Sequence, residues 1–279
     1  MTNNSATEQL RKAWDSQADA WFDTRDLLLT ASRPIHEWLV DHLDLKEGQR
    51  ILEIAAGPGD TGFLAARRLG NGRLVSTDLS PSMVDVARKR GAELGITNAD
   101  YQALDAQNMN LEDESFDGAI CRWGFMLMPD PAAALRECRR VLVRGGRLVF
   151  AVFTSPDENP WASLPARVLG ADGYLPAPTA EWQPGILALA DRERLQGLLD
   201  GARFSSTDIE AVDMKWSFAD ADGYWSFLMD VTALGPLVRS LPDAARASVR
   251  SNIDERLASF TSSNGVELPA RCWCGVAIR

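Results

Sequence analysis

Between Ile51 and Phe153 the apolar positions fall into short runs separated by stretches with helical spacing. Ile51 to Ile54, Arg73 to Asp78, Ala99 to Leu104, Phe116 to Arg122 and Leu148 to Phe153 are too short for helices and mostly apolar, which predicts buried strands. Phe63 to Leu69, Pro81 to Leu94 and Pro131 to Leu142 read as the helices between them. Ser80-Pro81 and Asp130-Pro131 each join an N-cap residue to a proline suited to a first helical turn. Asn71-Gly72 and Gly145-Gly146 supply turns. Strands alternating with helices imply right-handed crossovers and a parallel sheet with helices on both faces, hence an α/β fold.

The flanking segments follow other patterns. Ser5-x-x-Glu8 reads as a capping box, after which Leu10, Ala13, Trp14, Ala18, Trp21 and Phe22 recur at helical spacing. That predicts an amphipathic helix docked on the core, with Trp14 and Trp21 as candidates to line a ligand cavity. A second helix is expected over Pro34 to Leu43, with Pro34 in its first turn and Gly48 in the turn before the first strand. From Thr154 to Pro184 prolines, Trp161 and Trp182 break any regular pattern, which suggests an insertion over one sheet edge. Asp191 to Gly201 reads as a helix, and Asp208 to Trp216 and Arg271 to Ile278 as strands. Between those strands lie roughly fifty residues with helical periodicity, among them Val249, Ile253, Leu257 and Phe260, too many for an ordinary connection and read as a lid. The expected layout is N-terminal helices capping a site over 1–49, a cofactor-binding core over 50–153, an insertion and the end of the core over 154–216, a helical lid over 217–269 and a last core strand over 270–279.

Composition narrows the partners. A chain of 279 residues with a net charge of −10 can bury a large core and has no basic surplus to neutralise phosphates, which argues against nucleic acid. No apolar run approaches the roughly 18 residues a membrane span requires, and Met1 to Glu8 lack a basic or apolar leader pattern, so a cytoplasmic protein without a membrane span is expected. Association as a homodimer stays open. Cys121, Cys138, Cys272 and Cys274 are too scattered for a disulfide framework. Cys272-Trp-Cys274 puts both thiols on one strand face, where packing outranks metal binding; His36 and His42 are the histidines a metal has to recruit, and no metal is expected.

The candidate chemistry sits at strand ends. Gly57-x-Gly59-x-x-Gly62 follows the first strand and opens a helix, removing side chains that would keep a ligand from the backbone. By itself this fits a dinucleotide fingerprint, so an NAD(P)-dependent oxidoreductase is one reading. Ligands of open α/β sheets bind beyond the carboxyl ends of the strands, and the glycine turn, Asp78, Asp105 and Arg122-Trp123-Gly124 all fall there. Asp78 suits a carboxylate that accepts from ribose hydroxyls; its alternative role is to cap or turn into the Ser80-Pro81 helix. Asp105-Ala106 suits an adenine amino group, with Leu79 and Met83 packing on the base.

Taken in order, Glu53-Ile-Ala-Ala-Gly-Pro-Gly, Asp78-Leu-Ser-Pro-Ser-Met83, Asp105-Ala-Gln107 and Arg140-Val-Leu-Val-Arg-Gly-Gly-Arg147 resemble class I S-adenosylmethionine-dependent methyltransferases. More narrowly they are similar to the small-molecule branch that includes the ubiquinone and menaquinone methyltransferases. The resemblance implies a doubly wound, Rossmann-like, seven-stranded sheet with its last strand antiparallel, and S-adenosylmethionine as cofactor with S-adenosylhomocysteine as product. It implies that Gly57, Gly59 and the neighbouring Ala55 approach the methionine moiety, Glu53 orients its amino group, Asp78 holds the ribose, and Asp105 and Ala106 meet the adenine. Ala55 stands where the family usually has its first glycine; an ordinary backbone conformation tolerates it while narrowing the approach. Arg144 replaces a proline common before Gly145-Gly146.

The reaction so implied is methyl transfer to an oxygen, carbon or nitrogen of a small, largely apolar or aromatic metabolite. A cofactor-binding partner protein without turnover is the non-enzymatic alternative. Alignment in a water-poor pocket supplies much of the acceleration, so little acid–base machinery is needed. His36 is the candidate base, and Arg122 is a candidate both for contacting the cofactor and for orienting an anionic or carbonyl-bearing acceptor. Trp123, Phe125 and Met126 are expected to form an apolar wall, joined from the lid by Trp225 among Tyr224, Phe227 and Met229.

Overall fold

The computed structural model describes residues 3–175 and 182–279; Met1, Thr2 and residues 176–181, which fall inside the expected insertion, lie outside the described residues. The sheet strands are β1 (Arg50–Glu53), β2 (Arg73–Asp78), β3 (Ala99–Ala103), β4 (Phe116–Arg122), β5 (Leu142–Phe153), β6 (Ser206–Phe218), β7 (Thr261–Ser262) and β8 (Gly265–Ile278). They form an eight-stranded sheet in the order β3-β2-β1-β4-β5-β8-β6, with the short β7 pairing off β8. The strands from β3 to β5 are mutually parallel, and β8 runs antiparallel to both β5 and β6. The chain therefore winds away from the β1/β4 pair in both directions, which makes the carboxyl ends of those two strands the switch point of the sheet. Ile51, Leu52 and Leu148 to Phe153 are almost wholly inaccessible, as continuous apolar strands covered on both faces must be.

The helices are α1 (Asn3–Asp23), α2 (Arg25–His42), α3 (Asp60–Ala66), α4 (Pro81–Glu93), α5 (Pro131–Val141), α6 (Pro160–Ala171), α7 (Arg192–Gly201), α8 (Ala221–Val231), α9 (Gly235–Ser240) and α10 (Asp243–Leu257). The caps read from sequence before α4 and α5 are present: Ser80 accepts from the Met83 N–H at 3.1 Å and Asp130 from the Ala133 N–H at 2.9 Å. None of the described helices is long and apolar enough to cross a membrane.

Several boundaries differ from the sequence pattern, each for a local reason. α1 begins before Ser5, so Glu8 is not part of a capping box and instead pairs with Arg11 at 2.7 Å. α2 starts at Arg25 and runs through Pro34, because Leu28, Ala31, Ser32 and Ile35 form one buried stripe whose packing outweighs the interior proline, a cost of about 3 kcal/mol. α3 begins at Asp60, directly out of the glycine turn. Gly145-Gly146 is a bulge within β5 rather than a turn ahead of it: Gly145 has φ +79°, and the pairing register slips between Phe116 and Gly118. The segment after Thr154 contains α6, with Pro160 at its first turn. β8 starts at Gly265, so part of what the pattern assigned to the lid is core strand, paired to β6 from Val266 to Ile278.

Candidate active site

The turn after β1 is held from behind by Glu53. Its carboxylate accepts from the Gly62 N–H at 2.6 Å and the Ser76 hydroxyl at 2.8 Å, tying the start of α3 to β2. The group is fully buried on these scaffold partners and is not among the residues that border the cleft described below, where the cofactor's amino group was expected. Burial pushes its pKa up to about 8. A folded pKa above the unfolded one means that Glu53 stabilises the fold fully below about pH 4 and loses that contribution as pH rises through the folded value. Glu53→Gln, which cannot ionise, is expected to flatten the stability profile between about pH 5 and 8, where the unmodified protein loses roughly 1 kcal/mol per pH unit. Urea melts across that range test this, and parallel profiles for the two proteins would refute it.

The glycines of the turn divide in role. A Cβ on Gly59 (φ +84°) would strike the Phe63 ring, so that glycine serves packing; it was expected to contact the cofactor and is not among the residues that border the cleft described below. A Cβ on Gly57 (φ +53°) would meet nothing within 4 Å and would project into open cleft. Ala55 does not adopt the ordinary backbone expected of it: its φ is +51°, the left-handed region where an L residue is strained by about 1–2 kcal/mol. Ala55→Gly relieves that strain but gains freedom in the unfolded chain, so a net rise of about 1–2 °C in Tm is expected by calorimetry. A fall would show that the alanine methyl contributes packing that exceeds the strain.

Asp78 closes the turn from β2. One carboxylate oxygen accepts from the Gly57 N–H at 3.0 Å and the other from the Ser80 N–H at 2.9 Å. Ser80 itself caps α4, so Asp78 is not the N-cap, and each of its oxygens retains further acceptor capacity. Burial raises its pKa. Asp105, beyond β3, accepts from both the backbone and side-chain N–H groups of Gln107 at 2.9 and 3.0 Å. Together with Ala55, Gly57, Leu79, Met83, Ala106 and Arg122, these two acids line one cleft. Strand ends far apart in sequence thus converge as the carboxyl-end rule requires.

Arg122 ends β4 on the other side of the switch point. Its Nε donates to Thr61 Oγ1 at 3.2 Å, its guanidinium carbon lies 4.3 Å from the Trp123 ring centroid, and its Nη1 is buried without a hydrogen-bond partner. Thr61 Oγ1 in turn bonds His36 Nδ1 at 2.8 Å, and Ser32 Oγ bonds His36 Nε2 at 2.7 Å. His36 is 2% exposed and borders neither the cleft nor its neighbour, so the base role read from sequence has no geometry behind it. Burial, then the charge of Arg122, hold its pKa well below the usual imidazole value. It is a neutral bridge between α2 and α3.

Trp123 follows with φ +61°, an outlier for so bulky a residue. It is held there by its Nε1–H donating to Cys272 Sγ at 3.3 Å and by stacking on Phe153 with centroids 4.7 Å apart. Backbone strain retained at a ligand cleft is a common mark of function. Trp123 borders a second cavity, and Leu10, Trp14, Trp21 and Leu127 also line both spaces. The second cavity is walled further by Met126, Phe153, Trp161, Trp216 and Phe227, and no charged side chain lines it among the described residues. α1 lies over the pair, fastened where Asp15 accepts from the Ser80 hydroxyl at 2.5 Å; that bond is the first cause of the lowered Asp15 pKa.

Phe125 and Trp225 fall outside both spaces. Phe125 packs edge-on against Phe150 in the core, and Trp225 lies on the other face of α8 from Phe227, under the Arg250 guanidinium. Conversely, Phe153 and Trp216 were legible by a rule already in use, since they lie at or near the carboxyl ends of β5 and β6. Leu10 shares the α1 stripe of Trp14 and Trp21, and Gln107 follows Asp105 beyond the end of β3, whereas Trp161 carried no such signal. Among the described residues no cluster of His, Cys, Asp or Glu has the makings of a metal site.

Residues 51–146 match the family model described as a methyltransferase domain. The chain is 30% identical over 174 residues to the ubiquinone/menaquinone biosynthesis C-methyltransferase UbiE of Cellvibrio japonicus, an alignment covering 59% of this chain and 70% of that protein. It is 31% identical over 157 residues to the aklanonic acid methyltransferase DauC of a Streptomyces species, covering 56% of this chain and 69% of that protein. Among solved structures, the YcgJ protein of Bacillus subtilis has the same fold, with a TM-score of 0.61 over 88% of this chain and 97% of that chain at 16% identity.

Proposed function

This chain belongs to the class I S-adenosylmethionine-dependent methyltransferases that act on small molecules, and from that premise we propose that it methylates an oxygen, carbon or nitrogen of a largely apolar or aromatic metabolite held in the second cavity. The premise sets aside the nicotinamide reading. The observation that carries the proposal is the seam between the two spaces, where Trp123 and the α1 residues Trp14 and Trp21 line both.

The first cleft suits the cofactor. Gly57 leaves room for close backbone approach, Asp78 presents acceptors for ribose hydroxyls, Asp105 and Ala106 sit where an adenine edge is met, and Leu79 and Met83 offer apolar faces. The Arg122 guanidinium, whose Nη1 has no partner, supplies a buried cation for the α-carboxylate of the methionine moiety. When bound, S-adenosylmethionine supplies a methyl group already activated on a positive sulfur. The chain's own part is to align the acceptor and to exclude water, and the aromatic walls of the second cavity do both. The described residues lining it include no titratable group, consistent with catalysis by placement. The name of one relative, in ubiquinone and menaquinone biosynthesis, supports an acceptor of this general kind. In this reading α1 and α2 cap the site and α8 to α10 form the lid, contributing Phe227 and Val231 to the wall.

Titration calorimetry with S-adenosylhomocysteine and with NAD, followed by labelled-methyl transfer across a panel of aromatic acceptors, tests the proposal. Binding of S-adenosylhomocysteine and label on an aromatic acceptor are expected; label only on polar, charged acceptors would overturn the acceptor assignment.

A further inference from the structure

We propose that the acceptor enters the second cavity through a throat between α1 and the α8–α9 joint, formed by Gln17 and Thr232, and that this route admits uncharged aromatic molecules and turns away anionic ones. The inference rests on reading that cavity as the acceptor site. On the outer face of α1 lies a separate surface hollow bordered by Ser16, Asp23, Asp230 and Arg239. Gln17 and Thr232 line both that hollow and the apolar cavity, so these two side chains lie between the two spaces, beside the exposed Ala13 and Ala233 of the cavity's rim.

The two sides of the throat differ in freedom. Thr232 is fixed in the bend after α8: its hydroxyl donates to the Leu228 carbonyl at 2.8 Å and accepts from the Leu234 N–H at 3.2 Å. Gln17 is a half-buried, unbranched side chain on α1, whose rotamer change opens or narrows the passage without moving a helix. Thr232 is thus the fixed post and Gln17 the moving one.

Charge selection follows from both sides of the throat. In the hollow Arg239 is engaged by Asp230 at 3.3 Å, which leaves a net negative charge from Asp23 on a chain already at −10. Beyond the throat, the described lining carries no cation to receive an anion, and desolvating an unpaired charge there is strongly unfavourable. Arg122 borders only the cofactor cleft.

Anilinonaphthalene and its sulfonate share one ring system and differ by a single anionic group, and both fluoresce on entering apolar surroundings. With saturating S-adenosylhomocysteine present, the uncharged probe is expected to bind about tenfold or more tightly than the sulfonate. By stopped flow, Gln17→Trp is expected to slow its association by about tenfold and Gln17→Ala to hasten it, with S-adenosylhomocysteine affinity unchanged in both. Equal affinity for the two probes would overturn the charge selection. Unchanged association rates in Gln17→Trp, Gln17→Ala and Thr232→Phe would overturn the route, as would failure of the uncharged probe to bind the unmodified protein. The probe signal does not depend on turnover, so failure of S-adenosylhomocysteine to bind would count against the cofactor reading and not against the route.

Discussion

Asp78→Ala is expected to weaken S-adenosylhomocysteine binding by about a hundredfold or more in titration calorimetry, while the variant keeps its circular dichroism spectrum. Two hydrogen bonds from ligand hydroxyls to a carboxylate contribute roughly 1.5–3 kcal/mol each, and about 1.4 kcal/mol is a factor of ten. The carboxylate also anchors the turn, because it accepts from the Gly57 and Ser80 N–H groups, so its loss frees the backbone that should meet the methionine moiety. Asp78→Asn separates these effects. It keeps one acceptor oxygen and most of the shape, and a loss nearer tenfold is expected. A folded alanine variant within threefold of the unmodified affinity would remove Asp78 from the cofactor site.

What was legible in the sequence is what elementary patterns encode locally. Strand ends are marked by the switch from apolar runs to glycine or a charged residue, so Gly57, Asp78, Asp105 and Arg122 were found at the carboxyl edge of the sheet, and the structure gathers them around one cleft. The direction a buried polar side chain takes is a different matter. Glu53 and His36 carry titratable groups on elements beside the cleft, yet both are consumed by neighbouring donors and acceptors, which are contributed by Gly62, Ser76, Ser32 and Thr61. That competition is tertiary and has no signature in the spacing of either residue.

Backbone conformation was equally hidden. Glycine announces a left-handed position, but Ala55 and Trp123 occupy such positions without announcing them, and both lie where β1 and β4 deliver the chain into the cleft. Their conformation is imposed by surroundings: Trp123 by Cys272 and Phe153, Ala55 by the flanking Ile54 and Ala56 N–H groups, which donate to the Ile120 and Thr77 carbonyls on either side. Prolines misled in the opposite sense, since Pro34 lies within α2 and Pro165 within α6, where packing decides.

Arg122→Met is expected to weaken S-adenosylhomocysteine by about ten- to a hundredfold while changing methylthioadenosine, which lacks the amino-acid portion, by less than about threefold. The argument starts from a cost. A guanidinium taken out of water, held by one bond to Thr61 and one aromatic face, with Nη1 unpartnered, is unfavourable in the unliganded protein unless something in the cleft completes it. Asp60 and Glu53 are the nearby acids that favour its charge, but neither forms a salt bridge with it, and Glu53 is itself held toward neutrality by burial. An incoming carboxylate is the natural partner, and the planar fork of arginine is suited to receive it in a way that lysine is not, so Arg122→Lys should recover only part of the loss. Comparing ligands with and without the amino-acid portion isolates contacts to that portion from any general loosening of the turn. Equal losses for both ligands would mean that Arg122 acts on the scaffold through Thr61 and Trp123, and the proposed carboxylate contact would fall.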